Sequence, residues 1–85
     1  MSEHMFLPSR VRIDNESARA EIEAIAQRHD AEWTYTLLPG TGIRSWFSAR
    51  NYGPPFDQHR EDAVRAELLA IPVGRRLLGV TDAQG

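Results

Sequence analysis

Residues 32–50 read EWTYTLLPGTGIRSWFSAR. Residues 32–38 and 43–50 are rich in aromatic, threonine and aliphatic side chains, the types that fit a pleated, half-buried surface. Between them Pro39, Gly40, Thr41 and Gly42 supply turn chemistry, with two glycines able to take positive φ. The pattern predicts a β-hairpin. Its register decides which side chains are buried, because a slip of one residue turns a whole strand over. With an odd loop, Trp33, Tyr35 and Leu37 share a face with Ile43, Phe47 and Ala49. Thr34 and Thr36 then lie on the other face beside Arg44, Trp46, Ser48 and Arg50. An even loop places Trp46 beside Tyr35 and leaves two mixed faces. The odd register separates apolar from polar more cleanly, and it leaves Trp46 exposed between two arginines.

Helices are expected on either side of the hairpin. Asp14 or Asn15 can cap the first by accepting from the free amides of its opening turn. Ala18, Ile22, Ile25 and Ala26 form one apolar stripe at helical spacing, and the helix should stop near residues 29–31. After the hairpin, residues 51–56 (NYGPPF) must be a loop, since Gly53 and two prolines cannot continue a strand ladder. Asp57 is a natural N-cap for a second helix from residue 58 to about residue 71. Its buried stripe is Val64, Leu68 and Ile71, with Ala63 or Leu69 alongside, and Pro72 and Gly74 end it.

The two ends read as weaker strands. Residues 6–13 are a short extended segment with Val11 and Ile13 alternating against Arg10 and Arg12, and Pro8 confines its start to an edge. Residues 77–80 read as a short final strand, while residues 1–5 and 81–85 are expected to fray. The expected fold is a small α+β two-layer sandwich, with two helices on one face of an antiparallel sheet. Its order is β-α-β-β-α-β, the split βαβ or ferredoxin-like pattern, reduced to αββα if the outer strands fail.

At 85 residues the chain is read as a single domain. It has no cysteine, hence no disulfide staple. Small domains without staples gain stability by association, so a homodimer or an obligate complex is expected. No apolar run approaches the ~18 residues that cross a membrane, and the first residues, MSEHMFLPSR, lack a signal-peptide pattern. A cytoplasmic protein without membrane association is therefore expected. The net charge of -2 selects no partner class. All ten basic residues are arginine, which reads as the codon bias of a GC-rich bacterial, phage or plasmid genome.

Little points to catalysis. His4, His29 and His59 lack metal-ligand spacing, and His29 reads as a helix-end residue that meets the last carbonyls. There is no GxSxG motif, and Ser48 has no histidine near it in sequence. The PGTG turn runs into a strand and lacks the lysine of a phosphate-binding loop. No enzyme, metal or cofactor is predicted.

What remains is one surface. Arg, Trp and Tyr dominate binding hot spots, and Arg44, Trp46, Ser48, Arg50, Asn51 and Tyr52 lie within nine residues. They predict a small non-enzymatic adaptor or inhibitor that binds a protein through the hairpin's outer face and the NYGPPF loop. The alternative is single-stranded nucleic-acid binding on the same face, by stacking on Trp46 and pairing of the arginines with phosphate. Competing structural roles are also open. Phe56 can pack where the loop enters the second helix, Tyr52 can pin the loop to the sheet edge, and the N-terminal segment can cover Trp46.

Overall fold

The hairpin forms with the odd loop. In a computed structural model that describes residues 4–10, 12–40 and 42–80, β2 (Ala31–Leu38) pairs antiparallel with β3 (Gly42–Ala49). Trp33 lies opposite Phe47, Tyr35 opposite Ser45 and Leu37 opposite Ile43. Gly40, directly after Pro39, takes a φ of +74, the left-handed region that glycine enters without steric cost. Phe47 is fully buried in the middle of the inner face. Leu37 shares that face but is 56% exposed, whereas Ile43 opposite it is buried.

A third strand, β1 (His4–Phe6), pairs antiparallel with β3 on its other side and puts Phe6 opposite Trp46. The sheet order is β1-β3-β2, so β3 separates two parallel strands, as in a split βαβ unit. The first strand therefore lies earlier than the extended segment expected over residues 6–13. Pro8 stops the ladder after Leu7, whose N–H still donates to Ser45 O at 3.1 Å. β1 takes in residues 4 and 5 of the end expected to fray, and Met5 is buried. Expectations on residues 1–3 and 81–85, Val11 and Thr41 lie outside the described residues.

Between β1 and the first helix the chain is held at Ile13. Its N–H donates to Tyr35 Oη at 3.0 Å, and its carbonyl accepts from Arg19 Nε at 2.8 Å. The Arg19 guanidinium also lies over the Tyr35 ring, 4.7 Å from its centroid. Helix α1 (Glu16–Arg28) begins at Asn15, whose side chain accepts from the amides of Ser17 and Ala18. It buries Ile22, Ile25 and Ala26. It ends at His29, and Asp30 follows with a φ of +56.

Helix α2 (Gln58–Leu69) is capped by Asp57, which accepts from Arg60 N at 3.0 Å. It buries Val64 and Leu68, whereas Ile71 is half-buried beyond its end and Leu69 is exposed. Phe56 packs into the core at the entry to α2.

The expected final strand does not form. Residues Pro72–Leu77 are a third helix, α3, with Pro72 in its first turn and Val73 and Leu77 in the core. Gly79, at φ +74, closes it: Gly79 N–H donates to Arg76 O and Val80 N–H to Arg75 O, the bond pair of a Schellman motif. Pro72 does end α2, but a proline at a first helical position also starts the next one. Gly74 is no terminator. A Cβ there would lie 2.1 Å from Leu68 O, so glycine is what lets α3 pack against the end of α2. The architecture is a small α+β sandwich with one sheet face covered by helices.

Two substitutions probe this packing in urea denaturation. Gly74→Ala must push α3 off Leu68 and should destabilise by about 1–3 kcal/mol, as overpacking does. Ser45 is 1% exposed on the inner face, and its hydroxyl meets no partner among the described residues. Ser45→Ala removes that unmet group and should stabilise by about 1 kcal/mol.

Candidate functional site

The outer face of the sheet carries no buried residue among those described. β1 contributes His4 and Phe6, β3 contributes Arg44, Trp46 and Ser48, and β2 contributes Glu32, Thr34, Thr36 and Leu38. The register alone puts these side chains together, since alternate residues of each strand point to one face. Phe6 is 57% exposed and leans on Trp46, with ring centroids 5.8 Å apart at 49°. His4 also stacks on Phe6, with centroids 5.7 Å apart, and the Arg44 guanidinium lies 6.0 Å from the Phe6 centroid. The result is a strip running His4, Phe6, Trp46 across two adjacent strands, with one cation beside it.

Trp46 is on the outer face, as the odd register requires, but it is half-buried rather than fully open. The N-terminal strand is what partly covers it, through Phe6. Ser48 is half-buried on the same face, between His4 and Glu32.

The other three residues singled out from the sequence leave the sheet. Arg50 follows the end of β3, and its Nη1 donates to Asp30 Oδ1 at 3.3 Å. It therefore tethers the end of α1 and does not flank Trp46. Asn51 and Tyr52 are the central residues of a tight turn closed by Gly53 N–H donating to Arg50 O at 3.0 Å. Tyr52 takes a φ of +63 and is fully exposed, so it does not pin the loop to the sheet edge. A tyrosine in left-handed backbone costs about 1–2 kcal/mol relative to a relaxed conformation, and here no side-chain packing offsets it.

A second cluster was not singled out from the sequence. Glu67 of α2 receives Arg28 Nε at 3.0 Å on one carboxylate oxygen, and its other oxygen meets His29 Nε2. The Arg60 guanidinium donates to the His29 carbonyl, one of the last carbonyls of α1. Arg28, His29 and Arg60 edge an open cleft of about 670 Å³ that Asp30, Pro54, Pro55 and His59 also line. His29 thus sits at a helix end as expected, but its ring answers a carboxylate 38 residues away, which no local pattern signals. The hydrogen bond from Arg28 holds the Glu67 carboxyl below the usual glutamate range, against an opposing effect of partial burial and with help from His29. Arg28 is raised in turn by the same bond. The cluster joins α1 to α2. No group of three or more His, Cys, Asp or Glu placed to hold a metal occurs among the described residues, and no helix there is long and apolar enough to cross a membrane.

The sign of the Glu67 contribution follows from linkage. Its folded-state pKa is depressed, so the stabilisation is complete above the ordinary glutamate value of about 4.3 and is lost as pH falls through the lowered folded value. Urea midpoints measured across that range should show Glu67→Gln less stable than the parent at neutral pH. The two should converge in acid. The chain matches no protein-family model, no curated protein and no solved structure.

Proposed function

We propose that this chain is a small non-enzymatic protein-binding module, an adaptor or inhibitor acting in the cytoplasm. It engages its partner through the outer sheet face, with Phe6 and Trp46 as anchor and Arg44 beside them. The observation that carries this reading is the Phe6–Trp46 pair on a face that no element among the described residues covers. Large rigid aromatics give contact area at low conformational cost, and a neighbouring arginine adds directed hydrogen bonds. Tyr52, held outward in a backbone conformation that costs free energy, extends the contact from the loop. Outlying backbone of this kind is a reasonable pointer to function.

Single-stranded nucleic-acid binding is the second reading, favoured by the same two rings on adjacent strands, which offer a stacking platform. Charge argues against it. With Arg50 committed to Asp30, the face holds Arg44 against Glu32, whereas nucleic-acid sites are markedly basic.

Capture from host lysate with and without nuclease separates the two. A discrete protein should survive nuclease treatment and be lost with Phe6→Ala, which removes a mostly exposed ring and leaves thermal unfolding nearly unchanged. Material lost on nuclease treatment, with affinity falling steeply with salt, supports nucleic acid instead. Tyr52→Gly gives a further check. Relief of the left-handed strain, less the ~0.5–1 kcal/mol entropic cost of glycine, should leave the domain as stable as before or up to about 1.5 kcal/mol more stable. Partner affinity should nevertheless drop. A variant that binds as well as the parent removes Tyr52 from the site.

A further inference from the structure

Among the described residues, the outer edge of β2 carries a set of backbone groups that no other strand meets, and their identity follows from one hydrogen bond. Leu7 N–H donates to Ser45 O, so Ser45 turns its backbone groups toward β1. Successive residues of a strand face opposite neighbours, hence Phe47 also faces β1, while Arg44, Trp46 and Ser48 face β2. Their partners Thr36, Thr34 and Glu32 complete that ladder. Ala31, Trp33, Tyr35 and Leu37 therefore direct their N–H and C=O groups away from the sheet. Among the described residues no backbone bond from another segment meets them.

Edge strands of monomeric proteins are usually blunted by lysine, proline, a bulge or shortness. β2 has none of these. It is eight residues long, its pairing with β3 is continuous, and Glu32 is its one charged residue.

We propose that β2 pairs antiparallel with β2 of a second copy of this chain, about a two-fold axis at Thr34, to give a continuous six-stranded sheet. This register places Ala31 opposite Leu37 of the partner, Trp33 opposite Tyr35, Glu32 opposite Thr36, and Thr34 opposite Thr34. All four outward-facing residues of each strand then exchange hydrogen bonds. Inner-face residues meet inner-face residues, so the two cores abut and the outer faces run together. No like charges are set opposite one another, and a Trp–Tyr pair and a Thr–Thr pair are favourable cross-strand neighbours.

The helices behind the edge add charge complementarity. Arg19 of α1 lies over Tyr35, and Glu23, one turn further on, lines a shallow pocket with Trp33. Pairing Trp33 with the partner's Tyr35 brings Glu23 toward Arg19 of the partner, and the two-fold repeats the match. A self-complementary edge of this kind is what an isologous dimer requires. A domain of this size without disulfides also gains stability from it. The outer face with Phe6 and Trp46 stays free, and the dimer presents it twice.

Sedimentation velocity and amide hydrogen exchange, each over a concentration series, test the pairing. The sedimenting mass should rise to twice the 9.6 kDa of one chain. The amides of Trp33, Tyr35 and Leu37 should exchange more slowly as concentration rises, while those of Thr34 and Thr36 stay protected throughout. Thr34→Lys sets two ammonium groups face to face on the axis and should leave a folded monomer by circular dichroism. Glu23→Arg should weaken the dimer.

A monomer at every concentration overturns the proposal. So does a dimer that survives Thr34→Lys while the three edge amides exchange at one rate throughout. A dimer abolished by Phe6→Ala but not by Thr34→Lys places the contact on the outer face and also overturns it. If Thr34→Lys fails to fold, the concentration dependence of the edge amides in the parent chain decides.

Discussion

Everything in this fold hangs on the register between β2 and β3. Fixing Trp33 opposite Phe47 sends Phe47, Tyr35 and Ser45 inward and Arg44, Trp46 and Ser48 outward in a single choice. The alternation of side chains leaves no intermediate solution. Because β3 is the central strand, that choice also sets which edge residues of β1 can meet it, and so brings Phe6 over Trp46. The inner face then takes its cover from α1, α2 and α3 through Ile22, Ile25, Val64, Leu68 and Leu77, all nearly or wholly buried. The core and the candidate site are two sides of one pairing.

Two polar devices hold the helical layer in place. At one end, Ile13 is clipped from both sides, by Tyr35 through its N–H and by Arg19 through its carbonyl, with the arginine lying on the tyrosine ring. This orients the start of α1 against β2. At the other end, Glu67 gathers Arg28 and His29, while Arg60 takes the His29 carbonyl, so α2 is docked on the end of α1. Arg50 adds a tie from β3 to Asp30. Exposed ion pairs contribute little individually, but here they sit where helix ends leave backbone groups without partners. That location explains why so many arginines of this chain work as structural connectors.

Local features were legible. Asn15 and Asp57 as helix caps, the apolar stripe of α1, the loop at NYGPPF and the hairpin with its odd register all depend on neighbours close in sequence. The third helix was legible in part: Pro72 at its start and Gly79 just past its end follow the usual asymmetry of helix termini. Gly74 obscured it, because a glycine that serves a close approach to Leu68 looks in sequence like a glycine that stops a helix. The site was legible in its centre and not at its margins. Trp46, Arg44 and Ser48 follow from strand alternation, whereas Phe6 joins only because β1 pairs with β3, and Arg50 leaves only because Asp30 is near.

By itself the sequence determined the hairpin, its faces, two of the helices and their starts, because caps, turn residues and periodicity act over a few residues. The tertiary structure alone decided that Phe6 stacks on Trp46, that His29 and Arg28 share Glu67, that Arg50 turns to Asp30, and that β2 is left at an edge. Each of these joins groups distant along the chain. Such contacts are chosen by how strands and helices assemble, and the identity of neighbouring residues carries no record of that assembly.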